Sequence, residues 1–266
     1  TCARDVGLII DAVCYDLVTG SNFASSVAGA AYYRSQAELV PGNQLFQTLD
    51  VIQYVKNVAV SFVHLSLRDE VNAIFDNIYN ILENGIGSVP EYTWPASNSS
   101  NSGEVADAAL LQTNRATLVS SLVTYMTTSS PFAAVYNGLS SAQKLLCQRD
   151  VGYVIDAVTY DILYGGNYQI NVAGVAYNNG ALIIPGGELT ATLDAYSHLT
   201  SLINALGGFT NTPTVSALMN QLALVINTGS TGAIAYPNPA VESSAIQATY
   251  TALQANKASI QANTTS

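Results

Sequence analysis

The feature of this chain that most constrains its fold is an internal repeat. When residues 2–22 are laid over residues 147–167, 13 of the 21 positions are identical. Later segments also match, pairing 48–50 with 192–194 and 111–115 with 253–257. A match of this length and order indicates two copies of one unit. We therefore predict a first helical repeat over 1–145 and a second over 146–266.

The second copy is shorter than the first. Copy one runs on from Leu118 to Cys147, whereas copy two stops shortly after Ile260, the residue equivalent to Leu118. This difference predicts that the second repeat is truncated and that the array continues in both directions. Each copy is longer than the repeats of about 20–50 residues that stack into solenoids. Each copy is therefore expected to be a small domain with its own core.

Helical periodicity dominates each copy. Residues 3–19 place apolar side chains along one stripe of a helix, which Gly20 would end. Asn22 is predicted to cap a second helix over 24–34. Further helices are predicted over 44–62, 68–84, 105–127 and 139–163, with weaker equivalents in copy two. The predicted fold is mainly α: two tandem copies of a small helical domain with Pro/Gly/Ser-rich connecting loops, and a short strand near 92–94.

The charge composition excludes several partners. Only 10% of the residues are charged, and 18 acidic residues outnumber 8 basic ones. No basic stripe could neutralise phosphates, so nucleic acid is not an expected partner. No apolar run approaches the roughly 20 residues of a membrane helix, so membrane insertion is not expected either. Such a composition suits an extracellular or assembled protein.

The scarce charges recur at equivalent positions in both copies. Arg4, Asp11 and Tyr15 share one sector of the opening helix, opposite its apolar stripe. Because buried charges are rarely left unpaired, we predict a structural network of ion pairs and hydrogen bonds against a neighbouring helix or repeat. The predicted network residues are Arg4, Asp5, Asp11, Tyr15, Asp16, Arg149, Asp150, Asp156, Tyr160 and Asp161.

Catalysis and metal binding are the alternatives for these carboxylates. Asp5 and Asp16 lie roughly 16 Å apart along a helix, which is too far for a glycosidase pair. His64 and His198 are not equivalent between the copies, and no known nucleophile or phosphate-loop pattern occurs. Calcium loops require alternating acidic residues in a loop, whereas these aspartates lie on a helix. The sequence therefore predicts no catalytic residue, no metal and no cofactor.

The opening motif resembles that of a known repeat. The pattern Cys-x-Arg-Asp-Val-Gly…Ile-Asp-Ala-Val…Tyr-Asp, at residues 2–16 and 147–161, resembles a tandem repeat in large virion structural proteins of tailed phages that infect marine cyanobacteria. The pairs at 31–32 and 176–177, and the segment 253–257, look like the same repeat. The resemblance implies a structural, fibre-like or appendage component of a virion, with no catalytic residues to carry over.

The expected function is therefore non-enzymatic self-assembly into a virion or extracellular fibre. Glycine permits close approach and tyrosine is favoured at interfaces, which makes Gly29, Tyr32, Gly174 and Tyr177 candidate assembly residues; packing inside one repeat is the alternative.

Two other functions fit the sequence. One is a receptor- or carbohydrate-binding fibre segment that stacks Tyr92, Trp94 and Tyr236 on surface glycans. The other is a cellular extracellular-filament or surface-layer subunit.

Overall fold

The computed structural model describes residues 2–33, 40, 45–85, 101–178, 183–185, 189–229, 239 and 242–265. All regular elements in these ranges are helical, which confirms the mainly α fold. They are α1 Cys2–Thr19, α2 Phe23–Tyr33, α3 Leu45–Ser61, a 3-10 turn Leu65–Leu67, α4 Arg68–Asn84, α5 Ser102–Thr128, α6 Ala133–Gly138, α7 Ser141–Tyr164, α8 Tyr168–Asn178, α9 Leu189–Ala205, α10 Thr212–Thr228 and α11 Ser244–Thr265.

The predicted helices of copy one occur within a few residues of their expected bounds. Gly20 follows α1 with a φ of 66°, and its N–H donates to the carbonyl of Asp16, so the predicted helix end is confirmed. The short helix α6 had no signal in the periodicity. The strand predicted near 92–94 lies outside the described residues.

The chain divides into two compact units whose boundaries differ from those of the sequence repeats. Unit 1 comprises Thr1–Ala96 and Tyr236–Ser266, and unit 2 comprises Ser97–Ala235. The boundaries predicted at 1–145 and 146–266 are corrected because α5 of the first copy packs in unit 2, against α7. Conversely, α11 of the second copy packs in unit 1, against α1.

Unit 1 is built around α1, which we call its central helix. Helices α2, α4 and α11 all pack on α1, and every residue of α1 from Asp5 to Thr19 is buried. A helix surrounded in this way needs apolar residues on all its faces, and any polar group on it needs a partner. The two faces predicted for the opening helix are therefore both interior.

Unit 2 repeats this arrangement around its own central helix, α7. Helices α8, α10 and α5 pack on α7 as α2, α4 and α11 pack on α1. The residues of α7 from Asp150 to Ile162 are all buried. Because α5 and α11 occupy equivalent places, we call them the closing helices of unit 2 and unit 1.

The four candidate assembly residues lie inside the units. Gly29 of α2 packs on Ile81 of α4, and Gly174 of α8 packs on Val225 of α10. Tyr32 and Tyr177 are only 2% and 5% exposed. These four residues are not accessible to a second copy while the units are folded. The assembly prediction for them is therefore corrected in favour of packing within one unit.

Gly174→Ala is expected to destabilise unit 2 by about 1–3 kcal/mol, because overpacking a tight helix contact forces the neighbouring side chain and backbone to move. A Cβ atom at this position would lie 2.6 Å from Cβ of Val225. The control is Gly138→Ala, since a Cβ atom there meets nothing within 4 Å. Urea denaturation of both variants measures the difference, and equal stability would contradict the tight α8–α10 contact.

Candidate functional site

A polar contact joins the closing helix to the central helix in each unit, and we call it the closing seam. In unit 1 the Lys257 ammonium donates to both carboxylate oxygens of Asp11, at 2.9 and 3.1 Å. Gln254 Nε2 donates to Asp11 Oδ1 at 2.9 Å. Asp11 is 3% exposed, and α11 supplies both an ammonium and an amide to its carboxylate.

The closing seam of unit 2 has the same plan. Arg115 donates to both oxygens of Asp156, Nε to Oδ1 at 2.8 Å and Nη2 to Oδ2 at 2.9 Å. Gln112 Nε2 adds a hydrogen bond to Asp156 Oδ1 at 3.0 Å. The bidentate geometry suits a guanidinium, whereas the lysine of unit 1 acts as a point charge. Each central helix thus presents a buried carboxylate to an amide and a cation three residues apart on the closing helix.

Glycine on the central helix lets the closing helix approach. A Cβ atom at Gly152 would lie 2.7 Å from Arg115 Cζ, and one at Gly7 would lie 3.1 Å from Gln261 Cδ. Gln261 also donates to the carbonyl of Ala3 at 2.8 Å. The glycine in the repeated Arg-Asp-Val-Gly motif therefore makes room for a polar side chain from the closing helix.

The seam contains the buried thiol of Cys14. Burial is the main cause that raises the pKa of Cys14, to about 12; a hydrogen bond with Gln254 opposes this rise, and the nearby Asp11 adds to it. The equivalent residue of unit 2, Thr159, accepts a hydrogen bond from Gln112 at 3.0 Å. A thiol with so high a pKa is a poor nucleophile, and its place is taken by a hydroxyl in the other copy.

Each closing helix also makes hydrogen bonds to the loop between two other helices of its unit, α9 and α10 in unit 2 and α3 and α4 in unit 1. In unit 2 the Asp107 carboxylate, which is 1% exposed, accepts hydrogen bonds from the N–H groups of Thr210 and Asn211 at 2.7 and 2.9 Å. In unit 1 the hydroxyl of Thr249 accepts from the N–H of His64 at 3.1 Å. Each closing helix therefore makes polar contacts at two separate places in its unit.

A second pair of buried carboxylates caps the helix that follows each central helix. Asp16 accepts from the N–H groups of Ala24 and Ser25, each at 2.8 Å. The predicted cap, Asn22, is corrected: its side-chain oxygen meets no donor in the described part of unit 1. The acceptor for the helix start thus comes from the preceding helix.

Asp161 repeats this cap in unit 2, accepting from the N–H groups of Gln169 and Ile170 at 3.2 and 3.0 Å. Burial is the dominant cause that raises the pKa of both carboxyls, of Asp16 and of Asp161, to about 7. The N–H donors partly oppose this rise because they favour the charged form.

The remaining network residues are Arg4, Asp5, Tyr15, Arg149, Asp150 and Tyr160. Arg4 pairs with its neighbour Asp5 at 3.4 Å. Asp5 also contacts Tyr32; burial first, and then this carboxylate, raises the pKa of Tyr32 well above its ordinary value. In unit 2, Arg149 is exposed while Asp150 is buried.

The tyrosines of the predicted network are core residues. Tyr15 and Tyr160 are 1% and 0% exposed, and the ring of Tyr160 packs at a tilt on Tyr164 at 5.5 Å.

Sequence reasoning missed the partners of the buried aspartates. The repeat aligns Arg115 with Lys257 and Gln112 with Gln254, but the alignment predicts no role for these four residues. Their signal was available, because a cation recurs at the same repeat position in a chain with only 8 lysines and arginines. Asp107 gave no such signal, since its equivalent in the second copy is Thr249.

The described residues contain no group of three or more His, Cys, Asp or Glu side chains that could hold a metal ion. Nor does any helix among them have the length and apolar character to cross a membrane. His64 contacts Ser66, and His198 stacks on Tyr125 with ring centroids 3.6 Å apart. The aromatic residues suggested for glycan stacking, Tyr92, Trp94 and Tyr236, lie outside the described residues.

In both closing seams a buried aspartate joins two helices of one unit. No protein-family model, curated protein or solved structure matches this chain.

Proposed function

We propose that this chain is a non-enzymatic structural protein, a tandem-repeat subunit of a virion or extracellular fibre that forms by self-association. Its two compact helical units, each made mostly of one sequence copy, are the building blocks of the fibre. Neither nucleic acid nor membrane is a partner in this proposal. The principal partner is a further copy of the same chain.

One observation carries the proposal: each sequence copy contributes its closing helix to the compact unit of the other copy. Helix α5 belongs to copy one and packs in unit 2, whereas α11 belongs to copy two and packs in unit 1. A unit of this design is completed by a helix from another copy. Repeats that complete one another in this way are suited to linear arrays.

The use of the buried carboxylates supports a structural role. Asp11 and Asp156 bind the closing helices, while Asp16 and Asp161 cap the helices that follow. Asp107 holds the connection before α10. These carboxylates accept hydrogen bonds from backbone N–H groups or form ion pairs between helices. They are therefore positioned to stabilise the fold rather than to bind a substrate.

Negative-stain electron microscopy of the native protein at micromolar concentration tests the proposal. Regular filaments or tubes are expected, with an axial repeat that corresponds to one unit or to a pair of units. Dispersed single particles at every concentration would contradict the proposal. In that case a glycan array would test the alternative of a receptor-binding segment.

A further inference from the structure

The two closing seams differ in how the chain connects their helices. In unit 2 the closing helix α5 is joined to its central helix α7 through residues 129–140 alone. In unit 1 the chain between α1 and α11 runs through residues 20–243. The same helix pairing therefore forms whether the closing helix lies just before its central helix or far along the chain after it.

Equivalent side chains form both pairings. An aspartate on the central helix receives an amide and a cation from the closing helix in each unit. A leucine on the closing helix, Leu111 or Leu253, is fully buried at the equivalent place. Since these contacts specify the pairing and the chain order does not, α1 can accept an equivalent helix from any chain that presents one.

The closing seam of unit 1 is the more easily opened of the two. A short connection over residues 129–140 keeps α5 close to α7 at high effective concentration. The chain from α1 to α11 runs through residues 20–243, so no short connection restrains α11 near α1.

We propose that α11 is exchanged between copies of this chain, so that α11 of one chain packs on α1 of a second copy through the contacts of Asp11 with Gln254 and Lys257. This inference rests on the proposed function and names the partner and the surface of self-association. The contact is heterologous, since each chain offers α11 at one place and α1 at another. Repetition of such a contact gives a filament, or a ring if the rotation closes.

Charge reversal at the closing seam tests the exchange. Asp11→Lys and Lys257→Asp are made in separate full-length chains, and both together in a third chain. Each single variant brings like charges together when it closes on itself. In an equal mixture of the single variants, exchange restores opposite charges at every α1–α11 contact.

The expected result is that the mixture forms species of two or more chains containing both variants in equal amounts, detected by light scattering and mass spectrometry after gel filtration. Each single variant alone should form at least tenfold less of such species. The double variant should behave as the wild type, which shows that the reversed pair is compatible with folding. A mixture that separates into its two components, beside a folded double variant, would overturn helix exchange.

A second arm keeps the test decisive if the double variant does not fold. Lys257→Asp alone leaves α1 intact and weakens α11, so this chain should accept a wild-type helix but donate its own poorly. Added to wild type at one part in ten, it should shorten filaments, or form mixed dimers, at least twice as effectively as the control Lys144→Asp, which lies away from both closing seams. Equal effects of the two variants would overturn the exchange.

The two proposals fail in different ways. Wild-type filaments combined with no mixed species would overturn helix exchange and support the proposed function. Mixed species without wild-type filaments at any concentration would support helix exchange and count against a fibre.

Discussion

Replacing Arg115 by alanine is expected to lower the free energy of unfolding by about 3 kcal/mol, because the charge of Asp156 is then left in the interior without its cation. Asp156 is 0% exposed, and the remaining donor Gln112 carries no charge. Urea denaturation followed by helical circular dichroism measures the loss. This variant tests the closing seam of unit 2, which the exchange experiment leaves untouched.

Two further variants serve as controls for Arg115→Ala. Arg115→Lys should lose about 1 kcal/mol, since Lys257 shows that an ammonium can reach both oxygens of the equivalent aspartate but without the bidentate geometry. Arg68→Ala removes an exposed arginine of α4 and should change stability by less than about 0.5 kcal/mol. If Arg115→Ala cost no more than Arg68→Ala, the seam would not be an important source of stability.

Mild acidification should stabilise the protein through the two capping carboxyls. Burial raises the pKa of Asp16 and of Asp161 from 3.8 to about 7 in the folded state. Between these two values the folded chain binds more protons than the unfolded chain, so the free energy of unfolding falls as the pH rises. The contribution is fully present below about pH 4 and is lost as the pH rises through about 7.

The measurement is a comparison with the Asp16→Asn/Asp161→Asn double variant, in which neither position can titrate. The difference in unfolding free energy between wild type and double variant should favour the wild type by about 2–4 kcal/mol more per site at pH 4 than at pH 8. Contributions from all other carboxyls cancel in this difference. A difference that does not change with pH, or that grows as the pH rises, would refute the raised pKa values.

The sequence was sufficient for the secondary structure because periodicity and helix caps are local properties. Helices α3 and α4 lie within two residues of their predicted bounds, and Gly20 ends α1 as expected. The domain boundaries were predicted less well, because a repeat records how the sequence was duplicated and does not record which copy a helix packs on. Only the contacts of α5 and α11 reveal that each closing helix belongs to the other unit.

The site residues show a similar division. The recurrence of Asp11 and Asp156 in both copies predicts that they pair with a neighbouring helix or repeat, but it does not indicate which residue is the partner. The actual cation, Lys257, is 246 residues away along the chain, a separation that no helical pattern can indicate. For Tyr32 and Tyr177, the preference of tyrosine for interfaces was overridden by helices that cover both rings.

The burial of residues 5–19 of α1 and 150–162 of α7 has a consequence for how such repeats change over time. A residue that has neighbours on every side can be replaced only by one of similar size and polarity, whereas residues on the outer helices face fewer restrictions. Two duplicated copies should therefore stay most alike along these two helices, and 13 identities in 21 positions are found at this place. Distant copies of the repeat in other chains are thus best sought with the pattern of the central helix, since the outer helices will have diverged beyond recognition first.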